Sequence, residues 1–523
     1  MTRLRFAELM ACLAAACELA MGQDADHALH TCAVAMRVAQ AHGLRGSDLR
    51  HVFYQSLLRF IGCNADTGAM SQIAGDVIAL RRAMAPVDTA AAPRVVATLV
   101  QCIRAANAEH GAIASALAVL QGLARAPEFA QEIFPGHCEV AQRLGRRLGF
   151  DERFVEGLGQ LYARWDGKGT PEVAGERILP AVRIVILVNE LLLHHRLLGW
   201  DGAAEVLRAR SGSQLDPQLV SLVLARGPDL LEGLPTRWDA LPSLEPAPHE
   251  SLDGGALEAA LTVLADYADI QSHWLIGHAR RVADLVVDAA RQLGLDAASQ
   301  RELRCAALVH DIGRVGVATH VWERRGPLSH SELDRVRLHS VFTAQILRRA
   351  AGLTSLANIA AAAHERLDGS GYGRALGAAE LPPATRLLAA ADVVVALGEA
   401  RPHRAAHDPA SIERIVGEEV AAGRLDREAA AAALAVIGAR LRSPAPPAPL
   451  PAGLSEREAE VLRELAAGHT NKQIARRLGS SPKTVGHQVQ AVYRKAGVHT
   501  RAGATLFAIE HGLADARPRS PRG

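Results

Sequence analysis

Apolar residues along this chain recur at helical rather than strand spacing. In GLSEREAEVLRELAAGHTNKQIARRLGSSPKTVGHQVQAVYRKAGVHTRAGATLFAIEHGL, 453–513, Ile474, Ala475, Leu478, Val485, Val489 and Val492 fall at the positions of a buried helix face. The segment predicts four short helices with marked starts. Ser455 with Glu458 and Thr470 with Gln473 form capping boxes, and Ser481–Pro482 joins an N-cap to a first-turn proline. Gly468 and Gly479 punctuate the turns. A helix over 471–478, a Gly-Ser-Ser turn and a helix over 482–496 have the spacing of a helix-turn-helix.

Residues 256–440 also read as a series of amphipathic helices, and here histidines and aspartates gather near helix ends. His278 opens HARRVADLVVDAARQLG; His310 and Asp311 close RELRCAALVHDIG, with Gly313 as the stop. His339 lies in SELDRVRLHSVFTAQIL, which begins with a Ser329–Glu332 capping box, His364 precedes the turn DGSGYG, and Asp392 lies in ATRLLAAADVVVAL.

Composition agrees with a helical chain. Hydrophobic residues make up 49%, aromatics only 4%, and strand-like runs are few, so the fold expected is all-α. A chain of 523 residues exceeds what one core supports. Two breaks divide it: EGLPTRWDALPSLEPAPHESLDGG, 232–255, and the proline-rich RSPAPPAPLPAG, 442–453, an extended spacer. The domains expected are 1–235, 256–440 and 453–515. The first two share a pattern. RWDGKGTPEVAGERILPAVRIVILVN at 164–189 parallels RLDGSGYGRALGAAELPPATRLLAAAD at 366–392, and YQSLLRFIGC at 54–63 parallels RCAALVHDIGR at 304–314, in the same order.

Charge and cysteines narrow the classes. A formal net charge of +2 gives no general attraction to nucleic acid, so a DNA-binding reading rests on the motif. The seven cysteines are scattered without a CxxC pair, which argues against a disulfide scaffold and a thiolate zinc site. The apolar stretch near Met10–Met21 is broken by Glu18, and nowhere do 18 or so apolar residues run uninterrupted. The expectation is a soluble, cytoplasmic protein.

The central block carries the chemistry. Imidazoles and carboxylates together suit divalent iron, manganese or zinc, which lower the pKa of a coordinated water and polarise a phosphoryl oxygen. The ordered set His278, His310-Asp311, His339, His364-Glu365-Arg366, Asp368-Gly369, Gly371-Tyr372-Gly373 and Asp392 resembles the HD-GYP family of HD-domain metal-dependent phosphohydrolases, over about 256–410. The resemblance implies an all-helical domain that hydrolyses cyclic di-GMP with two or three metal ions. It also implies His278, His310, Asp311, His339, His364 and Asp392 as metal ligands, Asp311 as a catalytic residue, and Arg314 in place of a phosphate-facing lysine. Three departures matter. Ala363 stands where the family has a second histidine, Gly373 replaces the final proline of Gly-Tyr-Pro, and Trp274 falls where three-metal members carry a carboxylate. One or two ions are therefore expected. In the first block the corresponding positions hold Arg59-Phe60, Leu161-Tyr162-Ala163 and Asn189, with His30 set against His278, so it reads as a non-catalytic copy.

The C-terminal residues LSEREAEVL, NKQIARRL and SPKTVGHQV are closely similar to the LuxR-type helix-turn-helix, a four-helix module. By that resemblance the chain binds double-stranded DNA, as a homodimer. Lys472, Arg476, Lys483, Arg494 and Lys495 are set to meet phosphates, and Thr484, His487 and Gln488 base edges; Val485 counts both with the core and with this DNA-binding set. The combination reads as a transcriptional regulator whose HD-type block senses or hydrolyses cyclic di-GMP or another nucleotide. The alternative is a phosphodiesterase with a DNA-binding tail.

Overall fold

The computed structural model describes residues 3–108, 111–441, 450–498, 500–511 and 513. Most of the expected proline-rich spacer, 442–449, lies outside them. The chain divides into two compact units, Met1–Leu441 and Arg442–Gly523. Both are helical. Among the described residues the only sheet is one antiparallel pair, Leu4–Arg5 with Ser251–Leu252.

The larger unit holds both copies around one core. Its first helix, Phe6–Met21, is buried on nearly every face, and residues of both copies share its hydrophobic cluster. This accounts for the apolar stretch near the N-terminus: the helix is the plug between the copies. Cys12 Sγ donates to Leu347 O at 3.8 Å, and Asn64 Nδ2 donates to Tyr267 O at 2.8 Å, each bond crossing from one copy to the other. The break at 232–255 is anchored rather than loose. Buried Glu245 accepts from Tyr54 Oη at 2.6 Å and from Arg5, while Trp238 Nε1 donates to Asp26 at 2.8 Å.

The copies repeat the same order of helices. His27–Ala41, Ser47–Leu58 and Pro180–Arg210 in the first correspond to His278–Gln292, Ala297–Val309 and Pro383–Leu397 in the second. A close approach fixes one further pair. A Cβ on Gly313 would lie 2.1 Å from His339 O, and a Cβ on Gly62 would lie 1.9 Å from His137 O. Glycine is thus required at the same crossing in both copies. The long Ala112–Arg147 helix therefore carries the first copy's counterpart of His339.

The smaller unit has helices Glu456–Ala466, Asn471–Arg477, Pro482–Ala496 and Arg501–Glu510 around a core that includes Val461, Leu462, Ile474, Val485 and Val492. Both expected capping boxes form, and Ser481 caps Thr484 N.

Candidate metal centre

The second copy brings its histidines and aspartates to one buried point. Ala297–Val309 ends at His310, and Gly313 lets the chain turn against the His330–Leu347 helix, where Thr343 Oγ1 donates to His310 O at 3.0 Å and accepts from Gly313 N at 3.0 Å. This clamp delivers Asp311 to His339. His278 arrives from the first turn of its helix and Asp392 from the middle of Pro383–Leu397.

Two groups of ligand-type atoms result: His278, His310, Asp311 and Asp392; and Asp311, His339 and His364. Asp311 belongs to both. His278 Nε2 lies 3.3 Å from Asp392 Oδ1, His339 Nε2 3.2 Å from Asp311 Oδ1, and His364 Nε2 3.2 Å from Asp311 Oδ1. All six residues are buried.

The outer contacts orient these rings. His310 Nδ1 donates to Ala307 O at 2.7 Å, His339 Nδ1 to Val336 O at 2.5 Å, and His278 Nδ1 to Glu399 Oε2 at 2.9 Å. Each bond takes the Nδ1 proton and leaves Nε2 facing inward, the tautomer a metal ligand needs. The fit to a cation shows in what is left over. Nε2 of His278, His310 and His339, Oδ2 of Asp311 and Oδ1 of Asp392 are buried and have no aligned hydrogen bond. Such atoms are costly to bury unless something else satisfies them, and a divalent ion would do so.

Electrostatics point the same way. Burial opposes a charge on His278 and His310, yet the carboxylates of Asp311 and Asp392, with Glu399 acting on His278, push them up to about 9 and about 10. Burial and the neighbouring His339 push His364 down to about 4. Against their own burial, Asp311 and Asp392 are held well below the ordinary carboxylate range, Asp311 by Arg314 and His310 and Asp392 by the close imidazoles of His278 and His310. The cluster therefore demands positive charge at its centre.

Ala363 is fully buried within the apolar core, so the second group has three protein donors and no fourth from this position. Glu365 is no ligand. Its carboxylate accepts from Arg374 N at 2.7 Å and Leu376 N at 3.1 Å, holding the loop whose Tyr372 ring stacks on His364 at 5.2 Å. Gly373 in that loop has φ of 116°, a conformation closed to the proline found in Gly-Tyr-Pro. Arg314 pairs with Asp311 at 2.5 Å and lies over Trp322, while its Nε and Nη1 have no acceptor among the described residues. Glu399 escaped the sequence reading because it lies beyond its helix with no periodic signal.

The first copy is less empty than its sequence suggests. Its counterpart of His278 is His27, which opens the equivalent helix and pairs through Nε2 with Asn189 Oδ1 at 3.0 Å. His30, assigned that place from sequence, instead bonds Pro235 O, so that assignment is corrected. His137 Nδ1 lies 2.9 Å from Tyr162 Oη, and its Nε2 3.0 Å from Asp66.

In the smaller unit Lys472, Arg476, Lys483, Thr484, His487 and Arg494 are exposed and Gln488 is half-buried. Val485 is fully buried, so its place is the module's core and not the DNA-facing set. Lys495 is tied to Glu458 Oε2 at 2.6 Å and Gly453 O at 3.0 Å.

Comparison with known proteins fits this geometry. Residues 262–428 match the family described as "HD domain", and residues 452–508 match "Bacterial regulatory proteins, luxR family". The 3'3'-cGAMP-specific phosphodiesterase 3 of Vibrio cholerae is 31% identical over 406 residues, covering 76% of this chain and 87% of that protein. A cyclic di-GMP phosphodiesterase of Thermotoga maritima is 33% identical over 146 residues, 28% of this chain and 39% of that protein. The crystal structure of the cyclic GMP-AMP specific phosphodiesterase V-cGAP3 of V. cholerae aligns with a TM-score of 0.57 at 26% identity, covering 84% of this chain and 98% of that one.

Proposed function

Because the chain belongs to the HD-GYP phosphodiesterase family and ends in a LuxR-type module, we propose that its second copy hydrolyses a cyclic dinucleotide and that the module binds DNA. The observation that carries the reading is Asp311, shared by two groups of inward-facing ligand atoms. His278, His310, Asp311 and Asp392 hold one divalent ion, and Asp311, His339 and His364 hold a second more weakly for want of a donor at Ala363. A divalent ion held there supplies an activated water and a Lewis acid for a phosphoryl oxygen.

The protein's own groups do the rest. Arg314, paired through Nη2 with Asp311, offers Nε and Nη1 as charged donors on separate edges of its guanidinium to phosphodiester oxygens, a spread that a lysine does not present. Glu399 keeps His278 in its ligand tautomer. Tyr372, stacked on His364, covers one side of the site. The substrate is a 3'3'-linked cyclic dinucleotide, cyclic GMP-AMP or cyclic di-GMP.

In the module, Lys472, Arg476, Lys483 and Arg494 meet phosphates while Thr484, His487 and Gln488 approach base edges; binding is by a dimer on two half-sites. The test is metal analysis and turnover of both dinucleotides by the full chain, beside Asp311→Ala. Turnover that needs metal and disappears in the variant is expected; a metal-free wild type without turnover would sink the reading. For DNA, each of Lys483→Ala and Arg494→Ala is expected to reduce the slope of log affinity against log salt by about 1. An unchanged slope removes that contact.

A second reading, regulation of DNA binding by an occupied but unreactive site, draws on Ala363. It predicts a change in operator affinity on adding dinucleotide to the wild-type chain without turnover, and an altered affinity in the Asp311→Ala chain.

A further inference from the structure

The two copies leave opposite kinds of atom unsatisfied at the same place. At His310 the orphan is the inward Nε2, set among carboxylates that favour a cation there. Its counterpart in the first copy is Arg59, at the end of Ser47–Leu58, and the orphans there are the guanidinium donors Nε and Nη1. Both nitrogens are shielded from solvent and have no acceptor among the described residues, although the side chain as a whole is only partly buried.

The obvious candidates to satisfy them are taken. Phe60 fills the place of Asp311 and offers only its ring, 5.4 Å from the guanidinium carbon. Glu190, whose charge acts on Arg59, is held by Arg210 and by Gln214 Nε2 at 3.3 Å. Asn189, in the place of Asp392, is neutral and paired with His27. Guanidinium nitrogens shielded from water with idle donors cost free energy unless an anion completes them.

The neighbouring residues tell the same story. In the second copy the substrate-side cation is Arg314, directly after Gly313; in the first, the residue after Gly62 is Cys63, and the cation has moved to position 59. The carboxylates at the aligned positions are gone and the positive charge remains. Where the second copy gathers ligand-type atoms, the first copy presents a fixed cation of its own.

We propose that the first copy is an oxyanion-binding site, built on Arg59 at the place of His310, that takes a phosphate or phosphodiester group without metal. The guanidinium offers its idle Nε and Nη1 as charge-assisted donors to the oxygens of such a group. Binding there reports the nucleotide or phosphate state to the shared core of the larger unit.

The experiment uses the full chain, stripped of metal and silenced in its second copy by Asp311→Asn and Arg314→Gln. Calorimetric titration is carried out with inorganic phosphate, a linear dinucleotide and a cyclic dinucleotide. One site per chain is expected for at least one probe, at least tenfold weaker after Arg59→Gln. The arms separate the source: equal affinity for phosphate and the dinucleotides means a free anion suffices, and tighter binding of a dinucleotide means the nucleotide is recognised. Thermal unfolding guards against misfolding. Arg59→Met is expected to melt at or above the parent in the absence of probe, and the probe is expected to raise the melting temperature of the parent only. No binding of any probe, or binding unchanged in both Arg59→Gln and Arg59→Lys, overturns the proposal. Because no turnover is measured, the result stands apart from whether the second copy hydrolyses anything.

Discussion

His27 and His278 open equivalent helices, and each points Nε2 at the residue nine places after the proline that starts a later helix. In the first copy that residue is Asn189, and burial pushes His27 down to about 4 despite the bond to Asn189. In the second it is Asp392, and the carboxylates of Asp311, Asp392 and Glu399 overcome the same burial to push His278 up to about 9. The same count that reaches Glu399 from Pro383 reaches Arg196 from Pro180, whose charge lowers His27 further. One imidazole in one frame is thus neutral or cation-seeking according to whether carboxylates stand behind it. Ligand histidines are made by their acidic neighbours as much as by their own position.

The comparison can be broken most severely at Asp311. Asp311→Ala removes the donor common to both groups and is expected to lower turnover by more than about 100-fold, since even outer-contact changes at metal sites reach about that size. Metal content measured alongside should fall towards zero. An unaltered metal content would mean that the two groups do not act as one centre.

Glu399→Gln tests the orienting contact. Loss of the carboxylate behind His278 is expected to weaken metal affinity by about 10- to 100-fold with the helical signal unchanged, measured by competition with a chelator. Ala363→His asks the reverse question. A fourth donor beside His339 and His364 is expected to raise bound metal from about one towards about two ions per chain and to raise turnover with it. Metal content that stays fixed would show that the buried alanine position cannot place an imidazole in the group.

The smallest effect separates the two histidines directly. His27 is depressed in the folded chain, so its contribution to stability is full above the ordinary value near 6.5 and is lost as pH falls towards about 4. The loss should reach about 3 kcal/mol at most. Asn189→Asp supplies the missing carboxylate, raises the pKa of His27 and removes this acid sensitivity; melting temperature against pH, with the His27 ring followed by NMR, checks both. An acid limb that persists in the variant would assign it to another group.

How legible the site was follows from the kind of signal each residue gives. His278, His310, Asp311 and His364 stand at helix starts, ends and turns, His339 and Asp392 lie within helices, and all six follow a fixed order, which survives in a sequence. Glu399 has no such place. His137 was hidden because the helices Thr67–Ala74, Val77–Met84 and Ala92–Ala106 are inserted before it and displace any sequence register. His27 and His30 are one helical turn apart, and spacing alone could not choose between them; the bond to Asn189 does.

The sequence by itself determined the helical class, the duplication, the capping boxes of the C-terminal module and the set of ligand-type residues, because each rests on local periodicity or on residue order. Only the tertiary structure decided that the two copies close over the Phe6–Met21 helix, that Asp311 stands between two groups, and that Lys495 is tied to Glu458 while Lys483 is exposed. It also decided that, at the place where the second copy turns His310 Nε2 inward, the first copy leaves the Arg59 donors Nε and Nη1 without an acceptor among the described residues. These are contacts between residues far apart in the chain. Their free energy depends on burial and on which charges meet, and neither is a property of any one segment.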